Sequence, residues 1–337
     1  MQHPSPIRTP AAGILRRIAG MVAACALLQA GGVAHAETAY PGRAVRVVVP
    51  STPGVVPDAL TRLIAQKLAE IWGVPVVVEN RPGASGLVAA AFVAKSEPDG
   101  YTILFGDSSL WAINPHVYSK LPYDPLNDFA PVIGAAHLPM YLTVNASSPM
   151  RTVRDLIGYA KKNPGKLAYS TPGAGSSGNL AGEMFSSMAG VQLLHVPYKG
   201  SEGIKGLLAN DVQLAIYGQV AVVPQVKAGN LRILAGTMAE RSPTLPDVPT
   251  VAESGVPGYD ISSTFGAMVP AATPPALVAR INADIVKALA DPDVIAKFNG
   301  YGTPPIAKMT PAQFGTIMRG EYEKFGKLVR ETGMKLE

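Results

Sequence analysis

Residues 44–72 read AVRVVVPSTPGVVPDALTRLIAQKLAEIW. Residues 44–50 form a β-branched apolar run, the kind buried on both faces of a parallel sheet. From residue 58 to 72, Leu60, Leu63, Ile64, Leu68, Ile71 and Trp72 recur at helical spacing. Between the two lies a loop, STPGVVPD at 51–58. The same strand, loop and helix order then repeats. Residues 76–79 read as a strand ended by Asn80-Arg81-Pro82-Gly83, residues 86–96 as an Ala-rich helix, and residues 101–105 as a third strand. This alternation predicts an α/β fold with parallel sheets and helices on both faces.

Further along, a second half of the pattern follows residues 138–145. Residues 151–162 read as a helix, with Thr152 as N-cap and Asn163-Pro164-Gly165 as its stop. Strands are expected at 166–170, 192–197, 212–217 and 231–235, with helices at 179–189, 201–209 and 222–228 between them. Residues 241–257 are rich in proline and turns, and mark a connection. A last strand at 265–270 and helices near 275–290 and 311–331 complete the reading.

The bulk composition bounds the function. A chain of 337 residues with 47% hydrophobic residues can bury cores for two lobes. Only 16% of residues are charged, which argues against a nucleic-acid arm or an acidic tail. The net charge of +5 is partly an N-terminal effect, because Arg8, Arg16 and Arg17 precede residue 37 and no acidic residue does. Without them, 26 basic side chains face 24 acidic ones, and no nucleic-acid surface is implied.

Residues 1–36 are expected to be a signal peptide. Arg16-Arg17 supply the positive segment, residues 18–28 the apolar run, and Ala34-His35-Ala36 the cleavage site before Glu37. The run is shorter than the roughly 20 residues a membrane span needs. Competing readings are a lipobox at Val22-Ala23-Ala24-Cys25, a twin-arginine signal, and a buried N-terminal helix. Cys25 is the one cysteine, so the expected mature chain has no disulfide, thiolate metal site or cysteine nucleophile.

Two loops carry the candidate binding chemistry. STPGVVPD at 51–58 and STPGAGSSGN at 170–179 each lie between a strand and a helix. A helix N-terminus presents unpaired N–H groups and a positive dipole end, so it holds an anion without a cationic side chain. Gly173 and Gly175 allow close backbone approach, and Ser176 and Ser177 add hydroxyl donors. Ordinary tight turns are the alternative. The second loop also spells G-x-G-x-x-G with Gly178, a dinucleotide motif. That mechanism needs an acid about 20 residues on, at the end of the next strand. Here the strand runs into His195-Val196-Pro197-Tyr198-Lys199.

No catalytic constellation is visible. His116, His137 and His195 are widely separated, and neither H-E-x-x-H nor G-x-S-x-G occurs. Structural roles are expected for these three, the histidines of the expected mature chain. Lys199 reads as a solvated surface charge. No metal site and no cofactor are expected.

Many blocks together resemble the Bug family, the substrate-binding proteins of tripartite tricarboxylate transporters. They include VVVENRPGASG at 76–86, PDGYTILFG at 98–106, AINP at 112–115, LPYDPLNDFAPV at 121–132, NPGKLAYSTPGAGSSG at 163–178, HVPYKGS at 195–201 and RSPTLPDVPTVAESGVPGYD at 241–260. The resemblance implies a two-lobed type II periplasmic binding protein with a hinge and an interlobe ligand cleft. It implies a discontinuous first lobe, 37–143 plus 238–337, and a second lobe at 144–237. The expected ligand is a small mono- or dicarboxylate, or an aromatic one. The expected partners are membrane transporter subunits or a sensor kinase, with the receptor itself a monomer. An exported enzyme acting on a carboxylic acid in the same cleft is the alternative.

The candidate ligand-binding residues are Pro53, Gly54, Val55, Val56 and Asp58 in the first loop. Thr171, Gly173, Ala174, Gly175, Ser176 and Ser177 come from the second. Ser108, Ser109, Tyr198, Tyr217 and Gly218 complete the set. The chain departs from the family pattern in places. Val55, Val56 and Pro57 replace glycines, which predicts a stiffer first loop with fewer donors. Tyr217-Gly218 stand where many members carry an acid, which argues against capture of an amino acid's ammonium. Thr264 replaces a common tryptophan.

Overall fold

The computed structural model describes Met1 and residues 40–333. The expected leader, its Ala36 cleavage site and Cys25 lie outside the described residues.

Strand β1 (Val45–Val49) is buried except at Arg46, as its apolar run requires. Helix α1 (Val56–Trp72) buries Leu60, Ile64 and Leu68 on one face and ends at Gly73 in the left-handed region. Each such side chain contributes roughly 1.5–3 kcal/mol on burial. Then come β2 (Val76–Asn80), α2 (Leu87–Ala94), β3 (Thr102–Asp107) and α3 (Asn114–Val117). After β4 (Phe129–Leu138), a single residue, Pro139, leads to β5 (Met140–Asn145).

The second half runs α4 (Val153–Lys162), β6 (Leu167–Thr171), α5 (Ser177–Ala189), β7 (Leu193–Pro197), α6 (Glu202–Leu208), β8 (Leu214–Gly218), α7 (Gln219–Lys227) and β9 (Leu231–Gly236). Thr152 caps α4 through a capping box with Asp155, as its position before an apolar helix face predicts. The chain closes with β10 (Ser263–Pro270), α8 (Pro275–Leu289), α9 (Pro292–Gly300) and α10 (Pro311–Thr332).

The strands form two five-stranded sheets, ordered β2-β1-β3-β10-β4 and β7-β6-β8-β5-β9. The expectation of wholly parallel sheets needs correction. β10 runs antiparallel to β3 and β4, and β5 runs antiparallel to β8 and β9. These are the two strands that arrive from the other sheet. They enter at the end where their parallel neighbours finish, so they run the opposite way.

The expected lobe boundary after 143 falls inside β5, whose residues 140–143 pair with β8 in the second sheet. Strand β4 also has no counterpart in the sequence reading. Pro131 and Gly134 break its pattern, and both sit beside register shifts in its pairing with β10.

Two chain crossings join the sheets, one at Pro139 and one between β9 and β10. They are stitched together. Thr237 donates its N–H to the Met140 carbonyl at 2.9 Å, and Ile261 donates to the Thr237 carbonyl at 2.7 Å.

Candidate ligand-binding cleft

The carboxyl ends of the parallel strands converge on one cavity of about 360 Å³. From the first sheet it is lined by Ser51 and Pro57 after β1, residues 83–86 after β2, Asp107 at the end of β3, and Ser109 and Leu110 after it. From the second sheet it is lined by residues 172–176 after β6. Ligands of open α/β sheets bind at this end of the strands. The volume is at the low end for small-molecule sites.

The second loop is held by its own side chains. Gly173 and Gly175 take positive φ values of 150° and 71°. Ser176 caps α5, accepting the Asn179 N–H at 3.3 Å while donating to the Gly173 carbonyl at 2.7 Å. Asn179 Oδ1 accepts the Gly175 N–H at 3.1 Å, and Asn179 Nδ2 donates to the Tyr169 hydroxyl at 3.0 Å. The first-turn N–H groups of Ser177 and Gly178 have no intrahelical acceptor. Gly178 is needed for packing, since a Cβ there would lie 2.8 Å from the Ile216 carbonyl oxygen.

Thr171 is buried and sits 2.7 Å from His195 Nε2 through its hydroxyl. Burial pushes the His195 imidazole down to about 4. This histidine braces the loop from behind and does not line the cavity.

Facing this loop, residues 83–86 carry four consecutive positive φ values: Gly83 133°, Ala84 45°, Ser85 52° and Gly86 92°. Non-glycine residues in that region store strain, which concentrates at functional sites. Asn114 Nδ2 holds the Ser85 carbonyl at 2.9 Å. At Gly86 a Cβ would lie 2.5 Å from Leu110, so glycine is needed there on two counts.

Several expected site residues have other places. Asp58 is 2% exposed, and its carboxylate faces inward. It accepts from the Gly54 N–H at 2.8 Å, Arg62 Nε at 3.0 Å and Asn80 Nδ2 at 2.8 Å. Burial alone would raise this carboxyl, but the hydrogen bonds from Arg62, Gly54 and Asn80 hold it below its usual value. Pro53 and Gly54 are exposed, and Val55 caps α1 with no side-chain bond. Val56 opens that helix, and none of these four lines the cavity.

Ser108 is buried and donates to Glu321 Oε2 at 2.8 Å. Trp111 Nε1 donates to the same oxygen at 2.7 Å, and Thr264 Oγ1 donates to Oε1 at 2.6 Å. Thr264 thus helps hold the buried carboxyl of Glu321 together with Ser108 and Trp111. Tyr198 and Tyr217 turn away toward α6. Their hydroxyls occupy the space that a Cβ would need at Gly206 and Gly203, respectively. Gly218 caps α7, and Ser177 is 5% exposed in the first turn of α5. Of the expected set, Ser109, Gly173, Ala174, Gly175 and Ser176 line the cavity.

Asp107 and Ser85 were absent from that set. Asp107 is the one titratable side chain lining the cavity among the described residues. Burial raises its carboxyl above the usual range, against the hydrogen bond from the Ser109 N–H at 2.9 Å. The glycines of RPGASG were a local signal for Ser85, but Asp107 had none.

Two sheets, two crossings and a cavity between the strand ends define a two-lobed binding protein of the periplasmic type. Residues 60–334 match the model of the tripartite tricarboxylate transporter family receptor, and the chain belongs to that family. A relative from Pseudomonas sp. strain P51, the UPF0065 protein in the tcbD-tcbE intergenic region, is 37% identical over 95% of this chain and 94% of its own length. BugT of Bordetella pertussis is 35% identical over 88% of this chain and 92% of its own.

Among solved structures, R. palustris Rpa4515 with adipate superposes with a TM-score of 0.81 at 38% identity, covering 88% of this chain and 99% of that one. MatC from Rhodopseudomonas palustris with bound malate gives 0.77 at 28% identity, covering 86% and 100%.

Proposed function

We propose that this receptor is exported to the periplasm and captures a small mono- or dicarboxylate in the cleft. Residues 43–138 with 263–333 form one lobe and residues 140–236 the other, hinged at the two crossings. The observation that carries this reading is the cavity bounded by loops from both sheets, with the α5 N-terminus behind one wall. No Lys, Arg or His lines it among the described residues, so backbone N–H groups and hydroxyls hold the carboxylate. The relatives solved with adipate and malate support this ligand class.

The loaded receptor delivers its ligand to membrane transporter subunits or to a sensor, and does no chemistry on it. Among the described residues the lining supplies one titratable group, Asp107, and no histidine, lysine or cysteine to activate a nucleophile, which supports a binding role.

The test is mass spectrometry of whatever is released on denaturing protein isolated from periplasm, followed by calorimetry with the released compound. A carboxylate that binds and returns chemically unchanged is the expected result. Sustained turnover, or a released ligand without a carboxylate, would overturn the proposal.

A further inference from the structure

Asp107 at the end of β3 and Ser109 and Leu110 after it form one wall of the cavity. From Ser109 to Ile113 the chain winds as a π-helical turn, with the Asn114 N–H donating to the Ser109 carbonyl. Such turns are rare and concentrate at functional sites. Here side chains from outside hold the turn. Ser108 and Trp111, which bracket the two lining residues, both donate to Glu321 Oε2, at 2.8 and 2.7 Å. The Tyr123 hydroxyl donates to the Leu110 carbonyl at 2.7 Å. Asn114, which ends the turn, holds the Ser85 carbonyl of the neighbouring lining loop at 2.9 Å.

Glu321 lies on α10 and does not line the cavity. Its second oxygen, Oε1, takes the Thr264 hydroxyl at 2.6 Å, and the Thr264 N–H donates to Ser108 Oγ at 2.7 Å. Burial raises this carboxyl above its usual range, and the bonds from Thr264, Trp111 and Ser108 oppose the rise. A carboxyl is costly to enclose, and an apolar side chain would cost less. What it adds is two oxygens that take three donors at once, two of them on the turn and its first residue's neighbour. Helix α10 also packs against α5, which backs the opposite wall.

We propose that Glu321 is a positioning residue for ligand binding. It sets Ser109 and Leu110 at the cavity wall through Ser108 and Trp111, without touching the ligand. This rests on the carboxylate-receptor reading above.

Indole NMR and calorimetry on the full mature chain test this, with adipate, malate and benzoate as probes. The chain has two tryptophans. Trp111 reports the turn, and Trp72, which closes α1 about 25 Å along the helix from its cavity end, is the control. Probe binding should move the Trp111 indole N–H signal and leave that of Trp72 in place. Glu321→Gln keeps the contacts, because its amide oxygen accepts from Ser108 and Trp111 and its amide nitrogen donates to the Thr264 hydroxyl. Its affinity should stay within about threefold of wild type. Glu321→Leu, similar in size but without acceptors, should bind about tenfold or more weakly. Unfolding curves verify that both variants fold.

An unmoved Trp111 signal on binding of a probe would overturn the role of Glu321, whether or not the leucine variant folds, while the carboxylate reading stands. So would wild-type affinity in folded Glu321→Leu. A loss in Glu321→Gln as large as in Glu321→Leu would assign the effect to charge and overturn positioning. Binding of none of the three probes would overturn the carboxylate reading and this inference with it.

Discussion

The Ser85 hydroxyl lies 3.4 Å from the Ala174 carbonyl oxygen, joining the loop after β2 to the loop after β6 across the cleft. The contact exists because Ala84 and Ser85 hold left-handed backbone, with φ 45° and 52°. For L-residues that conformation costs about 1–2 kcal/mol each. Ala84→Gly should therefore raise the unfolding free energy by up to about 1 kcal/mol, after the added entropy of the unfolded chain is counted. Ala84→Val should lower it. Denaturant titration reads both, and a stabilising valine would contradict the strain.

Asp58 binds the Gly54 N–H, Arg62 and Asn80 from a position 2% exposed. Asp58→Ala should cost about 2–4 kcal/mol, since it leaves buried donors unpaired. The folded state holds this carboxyl below its unfolded value near 3.8. Its contribution is thus present above that pH and is lost as pH falls through the folded value. Asp58→Asn should flatten the acid limb of the stability profile, followed by thermal unfolding at a series of pH values.

His195 titrates the opposite charge. Its folded value near 4 lies below the ordinary 6.5, so the unfolded state takes up the proton first as pH drops. Stability from this group is complete above about 6.5 and declines as pH falls toward 4. His195→Gln should show a shallower decline across that window. A decline identical to wild type would mean that His195 is not the group responsible.

Ser176 does two things, capping α5 and lining the cavity. Ser176→Ala should cost about 1 kcal/mol in stability through the lost cap. It should also weaken ligand binding, because the hydroxyl's bond to the Gly173 carbonyl holds the shape of the loop that lines the cavity. Lys199, exposed on the turn after β7, should be replaceable by alanine with little change in either. If Lys199→Ala abolished binding while Ser176→Ala bound normally, the carboxylate would be held by a side-chain cation and not by the loop.

Much of the fold was legible because its determinants are local. The apolar run of β1, the helical spacing of Leu60, Ile64 and Leu68, the Thr152 cap and the glycines of residues 173–178 act through neighbours in the chain. Each dictates strand, helix or turn without reference to distant residues. Sequence alone therefore established the βα order, the N-cap at Thr152 and the glycine-rich loop before α5.

Tertiary structure decided the rest. The direction of β5 and β10 depends on which sheet each strand left, which no local pattern encodes. Tyr198 and Tyr217 pack against α6 because Gly206 and Gly203 leave room for their hydroxyls there. Asp107 and Ser85 meet residues 172–176 only when two separate sheets bring their strand ends together. Secondary structure follows from short-range sterics and hydrogen bonding. The wall of a cleft between lobes is composed by long-range pairing, so its residues are chosen by the sheet order and not by their neighbours in sequence.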